Sequence, residues 1–151
     1  MRCLDDLAIL KQKIRRAKKQ CHLLAMQFHS GEQYQARANE RQRTVGHAAI
    51  DAGADVVIGH HPHWIQDIEF YKGKFIAYSL GNFVFDMDHR PKVREGLLLK
   101  CLFKGTTLHQ VELHPVFIQG GAPKPVPAKD PSLRSRDEVL RELFRDSGWE
   151  T

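Results

Sequence analysis

The ten residues at positions 54–63, ADVVIGHHPH, constrain what this chain can fold into more than any other stretch. The β-branched run at 56–58 predicts a short buried strand over residues 55–58. Gly59 follows this run and allows a sharp turn or a close approach of the backbone to a ligand. The next positions place three imidazoles in one loop, and imidazole is both the commonest metal ligand in proteins and a general acid or base near neutral pH. These side chains are His60, His61 and His63.

A helix and a second strand are expected before this stretch. Residues 4–19 place apolar side chains at helical spacing, with charged residues between them. Residues 21–28 form a short apolar run that predicts a buried strand. That strand ends at His29, and Glu32 follows after a glycine. The sequence therefore places histidines at the carboxyl ends of two different strands.

A second helix is expected to connect the two strands. It covers residues 39–52, with Asn39 as its N-cap and Gly53 as the residue that ends it. The order helix, strand, loop, helix, strand, loop predicts parallel strands joined by helical crossovers. Functional groups collect beyond the carboxyl ends of such strands, so His29 and the later histidine loop are expected to converge on one site.

The second half of the chain is expected to be antiparallel. Two pairs of apolar segments, each around a short glycine-containing turn, predict two β-hairpins. The paired segments are residues 64–71 with 75–79, and residues 95–103 with 107–118. Pro and Gly are frequent in residues 119–132, which predicts a linker, and residues 135–147 predict a short helix. The expected division is a partial domain over residues 1–118, followed by the linker and helix over 119–151.

Composition narrows the classes of function. The 151 residues suit one globular domain, and no apolar run approaches the roughly 18 residues of a membrane span. The net charge of +5 belongs to residues 1–20, which carry seven Lys or Arg and two Asp. No aromatic residues interleave with these cations, so a solvated helix face is favoured and no nucleic-acid partner is expected. The first residues also lack the apolar core of a signal peptide.

The histidine loop predicts a metal or phosphate site. Alternate residues of an extended loop point the same way, so His61 and His63 are the expected pair of metal ligands. His60 then faces elsewhere, as a support for the ligands or as a substrate contact. Pro62 stiffens the loop between them. His29 is expected to join the same site from the neighbouring strand.

Three further residues are candidates for the site, and the sequence leaves their roles open. Glu32 either orients an imidazole, ligates a metal or is a plain surface carboxylate. Asn82 follows a strand and a glycine, so it is either a turn residue or an amide that reaches the site. Gly59 belongs to the site through its backbone. Walker, dinucleotide-binding, H-E-x-x-H and G-x-S-x-G motifs do not occur in the sequence.

The motifs resemble a known family. GADVVIGHHPHWIQDIEFYKGKFIAYSLGNFVFD at 53–86 and FHSGEQY at 28–34 look like signatures of the CapA-like proteins of capsule and poly-γ-glutamate biosynthesis. The resemblance covers roughly residues 10–130, with Ser30 standing where the family usually has Trp. That family is similar in fold to calcineurin-like metallophosphoesterases. The implied fold class is α/β (an α+β sandwich), namely the C-terminal half of a four-layer αββα domain with parallel strands first and antiparallel hairpins after.

The same resemblance implies a metal-dependent, phosphoesterase-like site in a protein of capsule or poly-γ-glutamate biosynthesis. The cofactors would be divalent ions (Mn, Zn or Fe), with His29, His61 and His63 as ligands and His60 as the catalytic proton donor or phosphate contact. In the family, upstream elements supply further ligands that include a bridging carboxylate, and no such motif precedes His29 here. The expected alternatives are therefore a hydrolase completed by that missing half, a non-catalytic scaffold of polymer assembly, or an inactive fragment.

The resemblance also implies the setting in which the protein works. The expected partner is a phosphate-bearing or polymer substrate. A membrane-associated polymer synthesis complex is expected through the full-length protein, since full-length members are typically associated with the cell envelope. The location of the present chain is not determined by its residues.

Overall fold

The computed structural model describes residues 3–86, 90–126 and 135–144. Within these ranges the chain forms three α-helices, one 3₁₀ helix and seven strands. In chain order they are α1 Cys3–Lys18, β1 Ala25–His29, α2 Glu40–Asp51, β2 Val56–His60, β3 Ile68–Tyr71, β4 Lys74–Ala77, the 3₁₀ helix Pro91–Arg94, β5 Glu95–Lys104, β6 Thr107–Gln119, β7 Ala122–Pro125 and α3 Arg136–Phe144. None of the helices in these ranges is long and apolar enough to cross a membrane.

The first sheet is built from the part of the chain where helices and strands alternate. Its strand order is β1-β2-β4-β3. Strands β1, β2 and β4 run parallel to one another, and β3 is antiparallel to β4. Helix α2 crosses over between β1 and β2. The predicted parallel strands with a helical crossover are confirmed, and so is the hairpin that follows them.

Helix α2 begins and ends where the sequence predicts. The Asn39 side chain accepts a hydrogen bond from the backbone N–H of Gln42 at 3.0 Å, and the Gln42 side chain accepts one from the backbone N–H of Asn39 at 3.1 Å. This reciprocal pair is a capping box. At the other end Gly53 has a φ of +113°, a conformation that glycine adopts without steric cost. The caps therefore fix both ends of the crossover.

The second sheet is antiparallel, with strand order β5-β6-β7. The predicted pair β5 and β6 is confirmed. The prediction of a linker over residues 119–132 is wrong for residues 122–125, which form β7 at the edge of the sheet. Pro123 and Pro125 fit there because an edge strand leaves one row of backbone groups unpaired, so a missing N–H costs little. Residues 127–132 and 145–147 lie outside the described residues.

Strand boundaries differ from the sequence prediction around Asp55. Strand β1 begins at Ala25 rather than at residue 21, and β2 covers Val56–His60 rather than residues 55–58. The physical reason is the Asp55 side chain, which accepts hydrogen bonds from Lys18, Lys74 and the backbone N–H of Leu24. These contacts tie the segments before β1 and β2 to each other and to α1 and β4, and residues 21–24 and Asp55 lie outside the strands.

Two apolar clusters lie on opposite faces of the first sheet. Successive residues of a strand point to opposite faces, so Val57 packs toward α1 and α2, whereas Val56 packs toward the second sheet and α3. Ile76 and Phe75 divide in the same way on β4. The layers are therefore helices, sheet, sheet and helix, which agrees with the expected α+β class of a calcineurin-like domain.

Candidate functional site

His29 and His61 meet at the carboxyl edge of the parallel strands. The register of β1 and β2 pairs His29 with His60, so both strands end at the same level. Nε2 of His29 lies 3.1 Å from Nδ1 of His61, and the two ring centroids are 4.9 Å apart. One of these nitrogens donates its proton to the other, so at least one of the two imidazoles is neutral. The structure thus brings together two of the three predicted ligands.

His63 is held apart from this pair. Its ring centroid lies 6.2 Å from that of His61, and its Nδ1 lies 2.9 Å from Oδ1 of Asn82. The loop is not extended, so the alternation from which His61 and His63 were expected to point the same way does not apply, while their role as a pair of ligands stays a prediction. His61 and His63 have φ values of +105° and +61°, which remove the alternation that an extended chain would impose.

Asn82 fixes the protonation of His63. Its amide nitrogen donates to the carbonyl of Val93 at 2.8 Å, so its amide oxygen faces His63. An oxygen can only accept, and Nδ1 of His63 must therefore carry the proton. In the neutral form of His63 the lone pair therefore lies on Nε2. Of the two sequence interpretations of Asn82, the structure favours the amide that reaches the site.

His60 is the last residue of β2 and is half-buried. Burial lowers the pKa of its imidazole, and the neighbouring His29 lowers it further. The ring is therefore held in its neutral form at neutral pH. A neutral imidazole can donate one hydrogen bond and accept another, so His60 can contact a phosphate oxygen through its single N–H.

Gly59 lets two segments of the sheet approach each other. A Cβ at this position would lie 2.0 Å from the carbonyl oxygen of Tyr78 and 2.8 Å from the ring of Phe28. A side chain there would push the end of β2 away from β4. The glycine therefore serves the packing beneath the histidines, a role that differs from the sharp turn or the backbone approach to a ligand that the sequence suggested.

Glu32 does not reach the histidines. Its side chain is exposed, and it is not among the residues that line the groove beside them. The loop that carries it is held by other contacts: the backbone N–H of Ser30 donates to the carbonyl of His60 at 3.0 Å, and that of Tyr34 donates to the carbonyl of Pro62 at 2.8 Å. Of the sequence interpretations, a surface carboxylate is the one that this placement favours.

Two buried glutamines, which the sequence did not single out, support both histidine-bearing loops. The Gln42 amide donates to the side-chain oxygen of Gln66 at 2.8 Å. The Gln66 amide in turn donates to the carbonyls of Gln35 and Arg37, each at 3.0 Å. Both side chains are almost fully buried, so their hydrogen bonds form in a low-dielectric setting. The only sequence signal was the capping box at Gln42.

The histidines line one side of an open groove of about 500 Å³. Its other side is apolar and comes from the segment after β4 and from β5. The lining residues are His29, Ile58, His60, His61, His63, Leu80, Gly81, Asn82, Phe83, Val84, Phe85, Leu97, Leu98 and Leu99. Two cations outside the groove lining stack on aromatic rings, with Arg90 over the Tyr34 ring at 4.7 Å and Lys92 over the Trp64 ring at 4.7 Å.

A family model matches this part of the chain. Residues 3–87, which run from α1 to beyond Asn82, match the bacterial capsule synthesis protein PGA_cap. The chain belongs to this family.

Individual relatives agree with the PGA_cap assignment. The chain is 39% identical over 144 residues to the PGA biosynthesis protein CapA of Bacillus subtilis, an alignment that covers 95% of this chain and 37% of the relative. It is 36% identical over 125 residues to the capsule biosynthesis protein CapA of Bacillus anthracis, which covers 83% of this chain and 29% of that protein. The chain therefore spans about a third of the length of the curated relatives it matches.

A shorter match extends to a second bacterial group. A probable polyglutamine synthesis accessory protein of Mycobacterium tuberculosis is 48% identical over 42 residues, which is 28% of this chain and 11% of that protein. The predicted CapA-like resemblance is confirmed by the family match and by the two Bacillus relatives.

The donor set of this PGA_cap chain fits a metal ion only in part. Two imidazole nitrogens that bind one tetrahedral ion lie about 3.4 Å apart, close to the 3.1 Å between His29 and His61. Within the described ranges, however, no group of three His, Cys, Asp or Glu side chains is placed to hold an ion. His63 is turned to Asn82, and none of the groove-lining residues that the structure describes is a carboxylate. The described residues offer two ligand positions and do not complete a metal site.

Proposed function

We propose that this chain supplies the histidine face of a divalent-metal site, directed at phosphate, in a protein of capsule biosynthesis that makes a polymer of the poly-γ-glutamate type. The Bacillus relatives, a PGA biosynthesis protein and a capsule biosynthesis protein, support this assignment of the polymer. The observation that carries the site is the 3.1 Å approach of His29 Nε2 to His61 Nδ1 at the ends of two parallel strands. Such an edge is where α/β sheets collect their functional groups.

Each residue of the face has a distinct role in this proposal. His29 and His61 would hold the ion, which would be Mn, Zn or Fe. Such an ion, when bound, polarises a phosphoryl oxygen and promotes ionisation of water. His63 would offer the ion its Nε2, the ring nitrogen that does not contact Asn82. His60 would contact the phosphate or move a proton.

The substrate is proposed to be a phosphate-bearing molecule or the polymer itself. The remaining ligands, with a carboxylate among them, are proposed to come from further chain of the kind that the longer relatives carry. Only for a full-length protein do we propose a place in a membrane-associated polymer synthesis complex. The described part of this chain supports hydrolysis only when such ligands are added, since two imidazoles leave the ion incompletely held.

Metal binding tests the site directly. Equilibrium dialysis against Zn²⁺ and Mn²⁺, followed by elemental analysis, should find bound metal in the wild-type chain and at least a tenfold weaker affinity in His29→Ala and in His61→Ala. His109→Ala removes an exposed imidazole on β6 and is the matched control, with unchanged affinity expected. Equal affinities in all four proteins would exclude the His29–His61 pair as ligands.

A non-catalytic binding role in polymer assembly is the second candidate. The observation that favours it is the donor set of the groove, where the described residues offer imidazoles and no carboxylate. Polymer yield in the producing bacterium separates the two roles. A His61→Ala substitution should lower yield if the site is catalytic, and unchanged yield with unchanged protein level would favour the scaffold.

A further inference from the structure

The groove beside the histidines has an unusual amount of exposed apolar surface. Phe83, Val84, Phe85 and Leu98 are 43%, 74%, 38% and 47% exposed, and all four line the groove. Contiguous exposed apolar side chains on a protein surface mark a place where something binds. They lie directly beside the polar groups, since the Phe85 ring centroid is 5.5 Å from that of His63.

The backbone holds this apolar wall in place. The backbone N–H of Leu97 donates to the carbonyl of Leu80 at 2.8 Å, and that of Phe85 donates to the carbonyl of Gly121 at 3.2 Å. Between these contacts, the Asn82 amide is anchored on Val93. The segment is therefore tied to the second sheet at both ends, so its apolar side chains are presented to the groove in a defined arrangement.

We propose that the groove binds a phosphate ester that carries an apolar chain. The phosphate lies at the histidine end and the apolar chain lies along Phe83, Val84 and Leu98. This inference rests on the proposed function, because it assigns the class of ligand for the same site. A volume of about 500 Å³ suits a small molecule of this kind.

The chemistry of the two walls favours this ligand over simpler ones. Inorganic phosphate would leave the apolar wall in water. A polyanionic chain would place carboxylates against Val84 and Leu98, where they lose hydration and find no donor among the apolar side chains. An amphiphilic phosphate satisfies both walls, because burial of its chain adds free energy in proportion to the apolar area covered.

A chain-length series tests the proposal on the wild-type protein. Titration calorimetry with inorganic, ethyl, butyl and octyl phosphate, with and without Zn²⁺, should give a Kd that falls about two- to fourfold per added methylene. Octanol, which lacks the phosphate, should bind at least tenfold more weakly than octyl phosphate. Equal affinities for ethyl and octyl phosphate would overturn the proposal and would leave the wall as a surface for a protein partner. Metal binding by His29 and His61 is measured separately, so the two proposals fail independently.

Matched variants test where the apolar chain of the ligand binds. Val84→Ser and Leu98→Ser should each weaken octyl phosphate several-fold and leave ethyl phosphate unchanged. Leu102→Ser is the control, because Leu102 is 45% exposed on β5 but does not line the groove. If octyl phosphate affinity fell equally in all three variants, or in none of them, the apolar chain would not bind along Val84 and Leu98.

Discussion

At the scale of single residues, one amide decides which nitrogen of His63 is free. Asn82 is 8% exposed, and its two polar atoms are committed to Val93 and to His63. An imidazole in water takes up either tautomer, so a fixed acceptor at Nδ1 selects one of them. The site therefore depends on a residue that need not touch a ligand at all.

Substitution of Asn82 should change the tautomer of His63. In Asn82→Ala the acceptor is lost, and the proton of His63 should move from Nδ1 to a mixture of both nitrogens. Asn82→Asp keeps an oxygen for Nδ1 and should retain the wild-type tautomer. Both variants leave the Val93 carbonyl without its donor and should lose about 1–3 kcal/mol of the free energy of unfolding. Imidazole ¹⁵N NMR measures the tautomer, and an unchanged His63 spectrum in Asn82→Ala would contradict the prediction.

The sequence could predict which histidines approach the site, but not how they pair. A strand that ends in a histidine places it at a known edge of the sheet, which was enough for His29 and for the loop at 60–63. The pairing of His61 with His29 depends on positive φ values at His61 and His63, a conformation that histidine adopts more often than most residues but still only in a minority of cases. Local rules for extended chains therefore did not anticipate the contact between His29 and His61.

At the scale of elements, Asp55 joins a helix and three segments of the first sheet. Its carboxylate accepts hydrogen bonds from Lys18 of α1, from Lys74 of β4 and from the backbone before β1. Burial works against its ionisation, but these hydrogen bonds outweigh burial and hold the pKa of Asp55 below its usual value. A depressed carboxyl pKa stabilises the fold at neutral pH.

Substitution of Asp55 should give a pH-dependent loss of stability. Asp55→Asn should lower the free energy of unfolding by about 2–4 kcal/mol at pH 7, because two ammonium groups lose a buried partner. The contribution of the carboxylate is complete above its ordinary pKa of about 3.9 and is lost as the pH falls below that value. The gap between wild type and variant, followed by urea unfolding, should therefore shrink from pH 5 to pH 2.5.

The partly exposed carboxylate of Glu112 on β6 provides the control for Asp55. Lys100 and His114 lower its pKa as well, but the contacts lie in solvent, where they contribute little. Glu112→Gln should therefore match wild type closely at every pH. A gap for Asp55→Asn that stays constant from pH 5 to pH 2.5 would refute the role of its ionisation.

The sequence did not predict strand β7 or the buried pair of glutamines, Gln42 and Gln66. Strand β7 contains prolines that usually exclude a strand, yet its position at the sheet edge tolerates them. The Gln42–Gln66 pair looked like ordinary polar residues, because its partners are backbone carbonyls of a distant loop. In both cases tertiary position, and not local composition, determines the outcome.

At the scale of the whole molecule, the two sheets meet along a short seam beside the groove. Gly81 and Gly96 form an isolated antiparallel bridge, and Leu97 donates to Leu80 at 2.8 Å. The family resemblance predicts the layered α+β arrangement. Its physical basis is that Val56 and Val57 point to opposite faces of the first sheet, so that each face is covered by its own layer. The seam itself could not be predicted, since it joins segments whose spacing depends on how both sheets twist.

Substitution at the seam should weaken the whole fold. A Cβ on Gly96 would lie 1.9 Å from the carbonyl oxygen of Asn82, so Gly96→Ala must force the two sheets apart. We expect it to lose about 3 kcal/mol or more of the free energy of unfolding in urea, and to weaken Zn²⁺ binding because Asn82 moves with the seam. Gly105→Ala is the control: its Cβ meets nothing within 4 Å in the β5–β6 turn, and its φ of +61° should cost about 1–2 kcal/mol. Equal losses in the two variants would show that the sheets do not depend on this close approach.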